Sequence, residues 1–211
     1  MTESDSQIQD FLTRLASRAG TPGGGAASAM TGAIAAALSG MVGRLNDKKD
    51  GTPGPLHGSI TTADTLRNDL ARLIDEDIAA FERLCETWKL STNDAAGRAA
   101  RQSATIEATE SPLEIMSKAL FVMKMAGIAL ERSKQGCVSD AGVSAILAHA
   151  AIEGARLNVL INLPGIEDSV RRSELHQRCE SLHVSAAALR REIDALIHRR
   201  FDADSAASTH G

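Results

Sequence analysis

Residues 23–43 carry no charged side chain and consist mostly of Gly, Ala, Ser and Thr, with Met30, Ile34, Leu38, Met41 and Val42 as the larger members. No other stretch restricts the fold as much. It has the length of a membrane span, about 20 residues, but side chains this small gain little in hydrocarbon. It therefore reads as a central helix buried on all sides by protein. Small residues at Ala29, Ala33, Ala36, Gly40 and Gly43 recur every three or four positions, so neighbouring backbones can come close. Thr21, Pro22, Gly23, Gly24 and Gly25 precede the helix. Glycines without Cβ atoms admit a ligand or a packed helix at short range. A bare helix start also offers free N–H groups that suit an anion. A tight entry turn into a packed helix explains the same residues, so this stretch alone leaves both readings open.

The rest of the composition agrees with helices. Four Phe, one Trp and no Tyr leave the apolar work to Ala and Leu, which favour helices over strands. A formal net charge of −4 argues against a nucleic-acid surface, which needs a basic field. Cys85, Cys137 and Cys179 are odd in number and far apart, which fits a reduced, cytoplasmic protein. The acidic N-terminus lacks an apolar signal core.

In chain order, the periodicity predicts an all-α single domain over 1–202, six or seven mostly long helices in a bundle, and a disordered tail at 203–211. A first helix spans 7–18, with Ile8, Phe11, Leu12 and Leu15 on one face. The small-residue helix ends near Leu45. Residues 46–58, rich in Gly, Pro and charge, read as a mobile loop of the kind that forms lids. A long helix covers 63–88, with Thr61 or Thr62 as its N-cap, and a shorter one covers 94–107. Ser111, Pro112 and Glu114 signal a new helix start for a segment reaching Lys134. Another helix runs from Ser139 or Asp140 to just before Leu163. A last one over 169–200 carries about three heptads of a coiled-coil-like seam.

Two helices carry chemistry. On 63–88 the apolar stripe is Leu66, Leu70, Leu73, Phe81, Leu84 and Trp88, and Asp77 falls in its middle. A carboxylate there costs several kcal/mol unless paired, so Asp77 reads as a buried ion pair or an active-site acid. On 139–162, Val143, Ile146, Ala150, Gly154, Leu157 and Ile161 form an apolar side. Ala145, His149, Glu153 and Arg156 lie opposite and read as solvated. A third stripe holds Asp140, Ser144, Ala151, Asn158 and Asn162. Asp140 and Asn158 stand about 27 Å apart along the axis, so they need an extended ligand, separate roles or a site shared between subunits. Lys48 and Lys49 sit in the loop, as solvated lysines or as a cation closing over an anion, and His57 shares that loop. No HExxH, P-loop, GxGxxG or metal-ligand cluster occurs.

Three blocks together resemble one family, the cyclodeaminase/cyclohydrolase family of folate enzymes. They are Thr21-Pro22-Gly23-Gly24-Gly25 with the small helix through Val42, the acidic block around Asp75-Glu76-Asp77, and Ser139-Asp140-Ala141-Gly142 through Asn158 and Asn162. The family includes the formiminotetrahydrofolate cyclodeaminase domain and stand-alone methenyltetrahydrofolate cyclohydrolases. The resemblance implies an all-helical homodimer with its sites near the interface. It implies a tetrahydrofolate derivative as substrate and no tightly bound cofactor, metal, membrane or nucleic-acid partner. Hydrolysis of 5,10-methenyltetrahydrofolate is the implied reaction. Formiminotetrahydrofolate cyclodeamination is the close rival, and a non-catalytic folate-binding or interaction dimer is the rival from another class. The site residues implied are Asp77, Asp140 and Lys48 for catalysis, and Pro22, Gly23, Gly24, Gly25, Lys49, Asn158 and Asn162 for substrate binding. Where the family usually has Gly-Lys-Lys-Lys, this chain has Asp47-Lys48-Lys49-Asp50, and the tyrosine that often follows is absent.

Overall fold

A computed structural model describes residues 7–91 and 93–208. Among them lie six α-helices and no strand: α1 (Gln7–Leu15), α2 (Gly24–Leu45), α3 (His57–Thr87), α4 (Ala95–Arg132), α5 (Val138–Asn162) and α6 (Ser169–Ser208). Short 3-10 turns, Gln135–Cys137 and Leu163–Gly165, flank α5. The all-α bundle expected from the periodicity is the observed fold.

α2 packs against α3, α4 and α5. It runs antiparallel to α5: Ser144 Oγ donates to the Ala35 carbonyl at 2.7 Å and lies 2.9 Å from Ser39 Oγ, while Gly24 lies beside Asn158. The contact is made by small residues. Ala26, Ala29, Ala35 and Ala36 on α2 and Ala141, Ala145, Ala148, Ala151 and Ala155 on α5 are fully buried. Alanines add little area each, but they let the backbones approach and pack densely. The larger core volume comes from α4, through Leu113, Ile115, Met116, Val122, Met123 and Leu130.

Burial of α2 on all sides does not hold. Ile34, Met41 and Leu45 are exposed. On α5 the faces are reversed from the sequence reading. The apolar residues Val143, Ile146, Leu157 and Ile161 point outward, Ile161 at 77% exposure. The face read as solvated packs on α6: Ala145 is buried, Arg156 pairs with Glu180 at 3.0 Å, and Glu153 meets His183 at 2.8 Å. The reason is volume. The close α2–α5 packing uses the small residues, so the bulky apolar ones are left outside.

Other boundaries moved as well. α1 is short and buries no residue. α3 starts at His57, so Thr61 and Thr62 are inside it. The two helices expected around residues 94–134 are one, α4, capped by Asp94 and continuous through Pro112. Pro112 removes the hydrogen bond to the Ala108 carbonyl, and Asn162 Nδ2 supplies the missing donor at 2.8 Å. The seam of α6 is used inside the protein, with Leu175, Cys179, Ala186 and Ile193 buried in the core. α6 continues past residue 200, and its backbone is helical through Ser208. Of the tail expected to be disordered, 209–211 lie outside the described residues.

The 46–56 segment is a pinned turn rather than an open lid. Asp47 accepts from the Gly54 amide at 2.8 Å and from His57 Nδ1 at 2.9 Å. The buried Asn46 bridges the Val42 carbonyl and the Lys134 amide.

Candidate active site

Gly20, at φ +78, turns the chain into α2, a left-handed conformation that favours glycine. The first turn of α2 then presents glycine backbone to α3. A Cβ on Gly25 would overlap the Asp77 carboxylate, so Gly25 is required for Asp77 to reach this position. Asp77 accepts a hydrogen bond from the Ala26 N–H. It thereby supplies, from another helix, the cap that Gly23 lacks. Helix first-turn amides have no partner within the helix. With Ala26 engaged, the amides of Gly24 and Gly25 remain at the cavity wall.

The cavity has a volume of about 190 Å³. Its wall comes from the α2 entry (Thr21 and the three glycines), from α3 (Asp77, Ile78, Phe81) and from α5 (Asn158, Ile161, Asn162), with Ala108 behind. Asp77 is the one charged side chain among the described residues of this lining. Burial pushes its carboxyl above the usual carboxylate range, opposed by the Ala26 amide and the Ser111 hydroxyl. The two asparagines are oriented by their donors. Asn158 Nδ2 donates to the Gly154 carbonyl at 2.9 Å, and Asn162 Nδ2 donates to that of Ala108. Because each amide nitrogen faces a carbonyl, the Oδ1 atoms are free acceptors. The site therefore offers one carboxylate, two amide acceptors and glycine N–H donors around a half-apolar space. That set can hold a planar ligand rich in N–H groups, bind a cation and move a proton.

Asp77, Gly23, Gly24, Gly25, Asn158 and Asn162 thus converge, as the sequence suggested. Pro22 is buried but is not part of the lining. Lys48, Lys49 and Asp140 are elsewhere. The two lysines are exposed in the turn after α2. Asp140 lies in the first turn of α5, where a carboxylate complements the helix dipole. The antiparallel register puts it level with the last turn of α2. With 22 residues in α2, the two ends are about 33 Å apart. Sequence reasoning missed Ile78, Ala108 and Ser111; for Ala108 the available signal was Pro112, four residues later. Among the described residues no three His, Cys, Asp or Glu side chains converge as metal ligands.

Residues 7–181 match the family model described as formiminotransferase-cyclodeaminase. This chain belongs to that family. Among its relatives is a methenyltetrahydrofolate cyclohydrolase of Methylorubrum extorquens, 35% identical over 193 residues, covering 88% of this chain and 93% of that protein. The formimidoyltransferase-cyclodeaminase of Mus musculus is 30% identical over 185 residues, covering 84% of this chain but 34% of the longer mouse protein. The crystal structure of formiminotetrahydrofolate cyclodeaminase from Thermotoga maritima superposes with a TM-score of 0.83 at 25% identity, covering 92% of this chain and 97% of that one. The family's three sequence blocks thus map onto the α2 entry, the Asp77 turn of α3, and α5.

Proposed function

We propose that this chain is a cytoplasmic methenyltetrahydrofolate cyclohydrolase that opens 5,10-methenyltetrahydrofolate to 10-formyltetrahydrofolate. The observation that carries the reading is the single carboxylate of the cavity lining, half-buried and with its affinity for protons raised by that burial. The substrate is a cationic amidinium, and an anion of this kind both attracts it and is a stronger base than a solvated carboxylate. Full-length similarity to a cyclohydrolase supports the same reaction.

In the proposed mechanism Asp77 takes a proton from a water molecule as its oxygen bonds to the carbon bridging N5 and N10. The resulting tetrahedral adduct is a neutral hydroxyl compound, and its oxygen faces the Gly24 and Gly25 amides as the carbonyl forms. Asp77 returns the proton to N5 as the carbon–N5 bond breaks. The second water proton leaves for solvent, and the formyl group stays on N10. Asn158 and Asn162 accept hydrogen bonds from the N–H edge of the ring system, and Gly23 leaves room for its face. These steps are proton transfers and need no tightly bound cofactor.

The site belongs to a homodimer in this reading. A cavity of about 190 Å³ is below the range of about 300–1,000 Å³ usual for small-molecule sites. The outward apolar residues of α2 and α5 form a stripe that reaches the cavity at Ile161. A second copy packed there about a two-fold axis near the middle of α2 would reverse the helix directions. Lys48, Lys49 and Asp140 of the partner subunit would then border this cavity. The lysines would hold the substrate's glutamate tail, and Lys48 or Asp140 would serve as the second acid–base group. Covering this stripe also makes the two helices long and apolar enough to cross a membrane parts of a soluble enzyme. The acidic net charge agrees with a small-molecule substrate rather than nucleic acid.

Following methenyl absorbance with purified protein tests the reading. The band falls faster than in buffer if the chain is a cyclohydrolase. A band that grows from 5-formiminotetrahydrofolate identifies the second reading, cyclodeaminase, which the Thermotoga and mouse relatives favour. Folate binding without either change identifies a non-catalytic dimer.

A further inference from the structure

Ser111 stands out on α4. Thr105 and Thr109 on the same helix each donate to the carbonyl four residues back, at 2.8 and 2.7 Å. Ser111 Oγ makes no such bond, is sealed from solvent, and has no hydrogen-bond partner of ordinary geometry. A buried hydroxyl left open in this way calls for an explanation. On the outer side of α3 and α4, Ser111 borders a groove together with Leu73, Glu76 and Ala80, which flank Asp77 in the sequence. On the inner side is the carboxylate itself, which the Ser111 hydroxyl influences in the same sense as the Ala26 amide. α2 and α4 thus approach Asp77 from two sides, α2 with the Ala26 N–H and α4 with a buried hydroxyl that has no partner.

We propose that Ser111 is a positioning residue for Asp77, its hydroxyl rotating to donate to the ionised carboxylate and fixing the direction from which Asp77 takes a proton. The inference rests on Asp77 being the base of the proposed reaction. Charged groups lie on the outer side of α3 and α4, where Glu76, Arg83, Glu107, Glu110, Glu114 and, from α6, Arg178 line the groove that Ser111 borders. α3 carries Glu76 and Glu82, and α4 carries Glu107 and Glu110, held by Arg83 and Arg171. α2 and α5 bring no charged side chain to the lining. Among the described residues, the Ser111 hydroxyl is the side-chain group placed to favour the charged form of Asp77 against its burial.

Three variants isolate the hydroxyl: Ser111→Ala, Ser111→Val and Ser111→Thr, the last two having the same shape. The readouts are the pH profile of kcat/KM and a carbon-13 NMR titration of the Asp77 carboxyl, which needs no substrate. Thermal melts confirm that each variant is folded. The expected result is that Ala and Val move the acid limb and the Asp77 titration to higher pH, while Thr leaves both close to wild type. If Val and Thr behave alike, or Ala overlays wild type, the proposal is overturned. If wild type turns over neither folate, the enzymatic reading fails, but the NMR titration still decides the role of Ser111.

Discussion

The two ends of the α2–α5 pair differ in kind. At the glycine end, backbone without Cβ atoms, a half-buried carboxylate and two oriented amides enclose a cavity. At the lysine end, Lys48 and Lys49 project from a turn fixed by Asn46 and Asp47, and Asp140 sits at a helix start. The first end is a formed pocket; the second is a set of polar groups facing outward. Yet the family blocks reach both, the second through Asp140. Between them lie exposed apolar residues, Ile34 and Met41 on α2 and Val143, Ile146 and Leu157 on α5. The two ends are too far apart to meet within one chain, and the proposed homodimer is the arrangement that would bring them to one ligand.

The strongest test of the glycine end is Asp77→Asn. Turnover falls by about 100-fold or more, while circular dichroism is unchanged. The variant also tests the sign of the linkage. The carboxyl's ordinary value is 3.8 and burial raises it in the fold. Stability from this group is therefore complete below that value and is lost as pH rises through the raised one. Wild type should melt lower relative to Asp77→Asn at neutral pH than in acid. A parallel pH dependence in the two proteins would remove the buried-base assignment.

The lysine end is tested by mixing two inactive proteins. Asp77→Asn and the double variant Lys48→Ala, Lys49→Ala are refolded together. If sites are shared across subunits, each mixed dimer keeps one intact site, and random pairing restores about a quarter of wild-type activity. No recovery would confine each site to one chain. Ile146→Arg, in the middle of the stripe, should give a monomer by light scattering and lose most turnover.

A smaller effect concerns the link between α4 and α5. Asn162→Ala leaves the Ala108 carbonyl without its donor beside Pro112 and should cost about 1–3 kcal/mol in denaturant unfolding. Pro112→Ala restores the helical amide, so the double variant should recover most of that loss. The smallest effect is at His149, between α5 and α6. Desolvation, with Arg190 and His183, lowers its proton affinity from the ordinary value of 6.5 against Glu153 and Asp194. Stability from this group is complete above 6.5 and falls as pH drops below it. His149→Gln should flatten that acid slope by less than ~2 °C in Tm.

Much was legible in the sequence because it is local. Helix periodicity, the charge-free run and the position of Asp77 within an apolar stripe follow from residue spacing, and they pointed to the fold class and to the carboxylate that lines the candidate site. The faces of α5 were not legible. Periodicity shows that a helix has an apolar side, but not whether that side meets its own core or a second chain. Nor did the Ser111-Pro112 start signal end a helix, because Leu113 and Met116 are anchored in the core and Asn162 supplies the lost hydrogen bond.

The sequence by itself determined that α2 must be small and uncharged, so that helices could approach it closely. Only the tertiary structure decided which of its ends became a cavity. That choice depends on which backbone Asp77 reaches across space, and Gly25 leaves the room for it.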